Sequence, residues 1–159
     1  EAARIQAPIE FHLLGYAHRP LQLQPHASLS VHGAYDDADL PHLLRRLQPD
    51  LIWFPARWPE TYSYTLSACL QSGAPVIATN LGAFPERLAG RAWSWIQPWD
   101  TAPGDWLSFM LELRQRHYVQ GIPPTPAPGI HIQTADDHLP AWSYDTDYLT
   151  NPRSAPAQP

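Results

Sequence analysis

What most constrains the fold of this chain is an alternation: short apolar runs that stop at Gly or Pro, separated by stretches with helical spacing. Ile9 to Leu14 is an apolar run ending at Gly15, and Leu29 to His32 is a second ending at Gly33. Asp50-Leu51-Ile52-Trp53-Phe54 stops at Pro55, Pro75-Val76-Ile77-Ala78-Thr79 follows Gly73-Ala74, and Ala92 to Ile96 is a weaker run. Between them, Leu40, Leu43, Leu44 and Leu47 fall on one stripe of an amphipathic helix. Asp36, Asp37 or Asp39 is placed to cap that helix, and Pro41 suits its first turn. A second helix is expected from Thr61 to Ser72 with Gly73 closing it, and a last one from Asp105 to about Arg116. The last carries Trp106, Phe109, Met110 and Leu113 on one side. Strands this short and apolar are buried on both faces, which calls for a parallel sheet between helices. The expected fold is therefore α/β, a Rossmann-like doubly wound parallel sheet. Ligands bind such sheets beyond the carboxyl ends of the strands, here the loops after Leu14, His32, Phe54 and Thr79.

Composition narrows the function classes. The chain has 159 residues, one domain's worth, with 44% hydrophobic and 16% charged residues, which suits a packed core and not a disordered chain. A net charge of -5 does not point to a nucleic-acid surface. All ten cationic side chains are Arg, which removes Schiff-base and P-loop lysine chemistry. The lone Cys69 cannot close an internal disulfide, and a reducing, cytoplasmic setting is expected. No run reaches the roughly 18–20 apolar residues of a membrane span. Eight of the 19 prolines fall in the last quarter, which also lacks a long periodic apolar segment, so residues 1–118 are expected to form the compact domain and 119–159 a proline-rich C-terminal tail or linker. The chain opens on Glu1 and not Met, which suggests an excised piece of something longer.

Candidate chemistry concentrates after the third strand, in Phe54-Pro55-Ala56-Arg57-Trp58-Pro59-Glu60-Thr61-Tyr62-Ser63-Tyr64-Thr65. A strand ends, a carboxylate appears, and a helix begins among hydroxyl residues. Two readings stand for Glu60: an acidic cap that complements the helix dipole, or one wall of a ligand site beside free helix N–H groups. The stretch Gly73-Ala74-Pro75-Val76-Ile77-Ala78-Thr79, then Gly82-Ala83-Phe84-Pro85-Glu86, follows at once.

Taken together, Pro55, Glu60, the helix, the Gly73–Thr79 strand and Gly82–Glu86 resemble the C-terminal half of the GT-B-fold retaining glycosyltransferases, the group 1 sugar transferases. That half reads P-S-x-x-E-x-F-G, a helix with a second Glu, A-x-G-x-P-V-V-A-T, then G-G-x-P-E. The resemblance runs from about Ile9 to Arg114, with five punctuating elements in the same order and spacing. It implies a nucleotide-sugar donor bound in a cleft between two such domains, with an N-terminal half expected upstream. It also implies a glycan acceptor, transfer with retention, no metal and no other cofactor, and a place in cell-envelope polysaccharide assembly. By the same resemblance Glu60 orients the donor sugar as the catalytic-site glutamate, and Thr61, Tyr62 and Ser63 form the turn that faces its hydroxyls. Tyr64 and Thr65 open the helix toward the diphosphate, Gly15 matches the glycine after the domain's second strand, and Tyr35 lies where the base is held. Three departures accompany the match. The second Glu, eight positions after Glu60, is Ala68; Phe-Gly is Tyr62-Ser63; and the family's first strand, with its Arg and Lys, has no counterpart before Glu1. Those departures favour an alternative, a non-catalytic GT-B-like binding or packing module of a larger protein, and transfer by this chain alone is not expected.

Other motifs receive plainer readings. The histidines show no metal-ligand spacing, with His12 in a strand and His18, His26 and His32 in or near loops. Asp136-Asp137-His138 and Asp145-Thr146-Asp147 fall in the proline-rich stretch and read as solvated acidic loops. Cys69 reads as a small core residue, not a nucleophile. Trp93, Trp95 and Trp99 have the rings to stack a sugar, but Trp93 and Trp95 alternate as strand residues do, which favours packing.

Overall fold

The computed structural model describes residues 1–17, 21 and 25–128, and shows a mixed α/β chain with two small parallel sheets. Strands β1 (Phe11–Leu13) and β2 (Leu29–Val31) pair parallel, Phe11 opposite Leu29. Strands β3 (Ile52–Phe54), β4 (Val76–Thr79) and β5 (Ser94–Gln97) form the second sheet in that order, also parallel. Each of the five expected strands is present, trimmed by one or two residues, and β5 runs one residue further, to Gln97. Among the described residues no ladder joins β1 to β3, so the one sheet expected from the sequence is two. Packing links them instead: the Phe11 and Trp53 rings lie 6.4 Å apart, and Phe11 and Ile9 pack on the cluster of Ile77, Trp106 and Met110.

Helices cover both faces of the three-stranded sheet. Helix α1 (Leu40–Leu47) buries Leu40 and Leu44, and α2 (Tyr64–Gln71) buries Leu66 and Cys69. Both, with the short α3 (Phe84–Leu88), lie against Ile52, Phe54, Val76 and Ala78. Helix α4 (Pro103–Leu113) lies on the other face through Trp106 and Met110 against Ile77 and Trp95, and runs on into a π-helical turn, Arg114–Val119. All four residues of β4 are buried, as an unalternating apolar run requires of a central strand. Burying a side chain such as Leu66, with no exposed surface, contributes about 1.5–3 kcal/mol.

Local chemistry decides where the helices begin. The acidic residues ahead of α1 do not cap it: Asp36 and Asp39 hold the N-cap positions of a 3-10 turn (Asp37–Asp39) and of α1, and neither side chain makes a capping hydrogen bond. Pro41 sits in the first turn as expected. Glu60 is not the cap of α2 either. Ser63, at φ +59, takes that position, and its Oγ accepts from the Leu66 N–H at 3.4 Å. The helix therefore starts later than Thr61. Gly73 closes it at φ +76, donating its N–H to the Leu70 carbonyl at 3.1 Å. Helix α3 is an addition to the expectation, since its Phe-Pro-Glu start reads as motif more readily than as helix.

Contacts continue past His117 and Tyr118, the residues at which the sequence suggests the compact domain stops. Ala127 is buried, donating to the Arg91 carbonyl at 3.1 Å and accepting from the Gly90 N–H at 3.0 Å. Trp93 meets Trp95, His117 and Tyr118 edge to face with ring centroids 5.7–6.2 Å apart, and Trp95 lies tilted against His117 at 5.5 Å, so Trp93 and Trp95 are packing residues. Tyr118 donates its hydroxyl to the Asp50 carbonyl, and burial followed by the Asp50 charge pushes its pKa up to about 12. Asp136, Asp137, His138, Asp145, Asp147 and His18 lie outside the described residues.

Candidate functional site

The loop after β3 is held from behind before it can hold anything. Thr79, at the end of β4, donates its hydroxyl to the Ala56 carbonyl at 3.1 Å. Ala83 donates its N–H to the Glu60 carbonyl at 2.9 Å. Gly82, at φ +54, lies so close that a Cβ there would stand 2.2 Å from the Glu60 carbonyl oxygen. Only glycine permits that approach. The two segments that carry the sequence resemblance, one around Glu60 and one around Gly82, thus meet through their backbones.

Arg87, on α3, fixes the next turn. Its guanidinium donates to the Tyr62 and Ser63 carbonyls, the latter at 2.8 Å, and to the Ser67 hydroxyl at 2.8 Å. It also lies 4.4 Å from the centroid of the Tyr62 ring, a cation–π contact. A planar fork of five donors suits this task, which holds Ser63 in a left-handed conformation that a non-glycine residue rarely adopts. Arg87 is the residue that sequence reasoning missed. The available signal was an Arg directly after Gly82–Glu86, hidden because α3 itself was not anticipated.

In front of this support lies an open depression of about 590 Å³, lined by Asp37, Trp58, Pro59 and the whole run Glu60-Thr61-Tyr62-Ser63-Tyr64-Thr65. It faces the carboxyl ends of the strands, where a ligand site is expected in a parallel sheet. Six of the eight residues singled out from the sequence therefore share one surface. Tyr35 borders it beside Thr65, where burial first, then the charges of Asp37 and Cys69, raises its pKa. Gly15 does not line it. That glycine, at φ +103, donates to the Gly33 carbonyl at 2.9 Å and joins the ends of β1 and β2. Ala68 also points elsewhere, packing on the cluster of Leu40, Leu44 and Cys69.

The character of the depression is aromatic, hydroxylic and acidic. Trp58, Tyr62 and Tyr64 are half or more exposed, and the Tyr62 and Tyr64 rings meet edge to face at 5.0 Å. At the start of α2 the Leu66 N–H is taken by Ser63, and the Tyr64 and Thr65 N–H groups have no partner among the described residues. Asp37 and Glu60 supply two carboxylates, and no Arg or His lines the surface.

Elsewhere, burial pushes the Cys69 thiol up to about 11, which suits a core residue and not a nucleophile. The histidines are less scattered than the sequence suggests. His12 Nδ1 and His32 Nε2 lie 2.9 Å apart across β1 and β2, and Glu10 lies 3.4 Å from His12 Nε2. The parallel register puts His12 opposite Ser30, which leaves His32 diagonal to it on the same face. Among the described residues, no group of three or more His, Cys, Asp or Glu side chains is placed to hold a metal ion, and no helix is long and apolar enough to cross a membrane. No family model, no curated protein and no solved structure matches the chain.

Proposed function

We propose that this chain is the donor-binding domain of a retaining glycosyltransferase of the GT-B type, with a Rossmann-like arrangement of its parallel strands. The observation that carries the reading is the backbone clamp between Gly82 and Glu60, because it joins in space the two motif segments whose resemblance first suggested the activity. In this reading the Glu60 carboxylate accepts hydrogen bonds from the donor sugar's hydroxyls, and the hydroxyls of Thr61 and Ser63 complete the turn around them. The unpartnered N–H groups of Tyr64 and Thr65 face the diphosphate, where the positive end of the α2 dipole favours negative charge. Tyr35 borders the site on the side of the base. Departure of the diphosphate while the acceptor attacks the same sugar face needs positioning and charge stabilisation, not a strong protein nucleophile. The glycan acceptor, the rest of the cleft and the cations that neutralise the diphosphate come from a second GT-B half, and the work is done on the cytoplasmic side in envelope polysaccharide assembly.

A second reading has its own observation. Ala68 stands in the core where the family's second glutamate would grip the ribose, and the depression carries no cation. A GT-B-like module that kept the fold and lost the chemistry fits both.

Calorimetric titration of the 159-residue chain with a panel of nucleoside diphosphates, with and without EDTA, tests the first reading. Binding of one of them, insensitive to EDTA and weakened about tenfold or more by Thr65→Pro, is expected, because the proline removes one of the two free N–H groups. No binding by any of them favours the second reading.

A further inference from the structure

The surface around Glu60 carries an asymmetry of charge that the donor-site reading does not require. Two carboxylates line it, Asp37 and Glu60, and no cationic side chain does. The one guanidinium bonded to this loop, that of Arg87, is spent on the Tyr62 and Ser63 carbonyls and on Ser67. Asp37 comes from a different element, the turn between β2 and α1, and has no structural task there: it caps nothing and forms no ion pair among the described residues. Its charge nevertheless reaches its surroundings, since it helps to raise the pKa of the Tyr35 phenol beside the depression. The aromatic residues bear on the same question. Trp58, Tyr62 and Tyr64 offer exposed ring surface to a sugar's apolar C–H face, which suits a neutral or amino sugar as the occupant beside the two carboxylates.

We infer that Asp37 is a specificity-determining residue: the depression accepts sugars bearing neutral hydroxyls or an amino group, and rejects sugars bearing a carboxylate. A carboxylate accepts hydrogen bonds from hydroxyl and ammonium groups but has no donor for a second carboxylate. Placing a uronic acid beside Asp37 and Glu60 leaves acidic oxygens facing one another across a partly screened surface. The inference rests on the donor-site reading, and it concerns the sugar, not the nucleotide.

The test compares matched donors on the full 159-residue chain: UDP-glucose, UDP-glucosamine and UDP-glucuronate, then GDP-mannose against GDP-mannuronate. The neutral and amino sugars should bind at least about tenfold more tightly than the uronates, a gap that unit-charge repulsion near a protein surface readily supplies. Raising the salt concentration should narrow that gap. Asp37→Asn should bring the uronate to within about threefold of its neutral partner, and Asp36→Asn, one residue away and outside the lining, should leave the gap in place. Melting curves of both variants show that the fold is kept. Equal affinities in the unmodified chain, or a gap that survives Asp37→Asn, overturn the inference while leaving the donor site standing. If no member of either series binds, the donor-site reading itself is refuted and the selectivity falls with it.

Discussion

The two parallel sheets differ sharply in how they are held. In the β3–β4–β5 sheet, Val76, Ile77 and Ala78 have no exposed surface, and helices pack on both faces. The β1–β2 pair has no fully buried residue in its strands, ends in a glycine-to-glycine bridge, and displays two histidines and a half-exposed Val31. The candidate site grows almost entirely from the β3–β4–β5 sheet: Glu60 to Thr65 follow β3, and the clamp and Arg87 follow β4. A surface that must hold a carboxylate and two free N–H groups in fixed relation needs a rigid floor, which only the densely packed sheet provides. The β1–β2 side contributes Asp37 and Tyr35, residues that act through charge and rim contact and tolerate looser placement.

Truncations should separate the two sheets most strongly. Leu66→Ala, in the core beneath α2, is expected to cost about 3–5 kcal/mol, whereas Val31→Ala should stay within about 0.5 kcal/mol. Chemical denaturation of both variants measures the difference, and similar losses would erase the contrast. Glycine substitutions sharpen it. Gly82→Ala drives a methyl group into the Glu60 backbone and should cost about 3 kcal/mol while disturbing the Glu60 loop. Gly15→Ala meets open space and pays only for its backbone angle, about 1–2 kcal/mol, leaving the Glu60 loop and ligand binding in place.

The pH dependence of stability should come from the packed side as well. Cys69 titrates at about 11 in the folded chain and near 9.0 when exposed, so the unfolded state loses its proton first. Stability from this source is therefore complete below pH 9 and falls as the pH rises toward 11, by about 2–3 kcal/mol. Denaturation midpoints measured across that window should decline less steeply in Cys69→Ala. A smaller loss of stability, with a clear loss of binding, is expected at Arg87. Arg87→Met frees the Tyr62 and Ser63 carbonyls and should cost about 1–2 kcal/mol, with a tenfold or greater loss in nucleotide-sugar affinity. Arg4→Met, whose guanidinium meets Glu1 on the exposed surface, should change neither.

The same contrast explains what could be read from the sequence. Strands and helices of the packed sheet were legible because burial on both faces writes an unbroken apolar run, as in Val76–Thr79, and one-sided burial writes the Leu40–Leu47 stripe. The site loop was legible as a cluster because Glu60 to Thr65 are consecutive, and a tight loop keeps neighbours together. What the sequence hid depends on long-range geometry. Asp36, Asp37 and Asp39 have the composition of caps, yet a 3-10 turn precedes α1 and neither N-cap aspartate makes a side-chain capping bond. Ser63 displaced Glu60 as the α2 cap because a left-handed residue, stabilised by Arg87 from 24 positions away, sets where the helix begins. Nor does any local pattern announce that Gly82 touches Glu60, or that His12 meets His32.

The central claim is that Glu60 grips a sugar while the start of α2 grips a diphosphate, and one set of titrations tests it directly. The unmodified chain and Glu60→Gln are each titrated with a nucleoside diphosphate and with its matching nucleotide-sugar. The account predicts that the unmodified chain binds the nucleotide-sugar more tightly than the bare diphosphate. It further predicts that Glu60→Gln removes most of that increment while bare diphosphate affinity stays within about twofold, since a carboxylate turned toward sugar hydroxyls contributes little to the phosphates. Loss of bare diphosphate binding in Glu60→Gln, or an increment that survives the substitution intact, would contradict it.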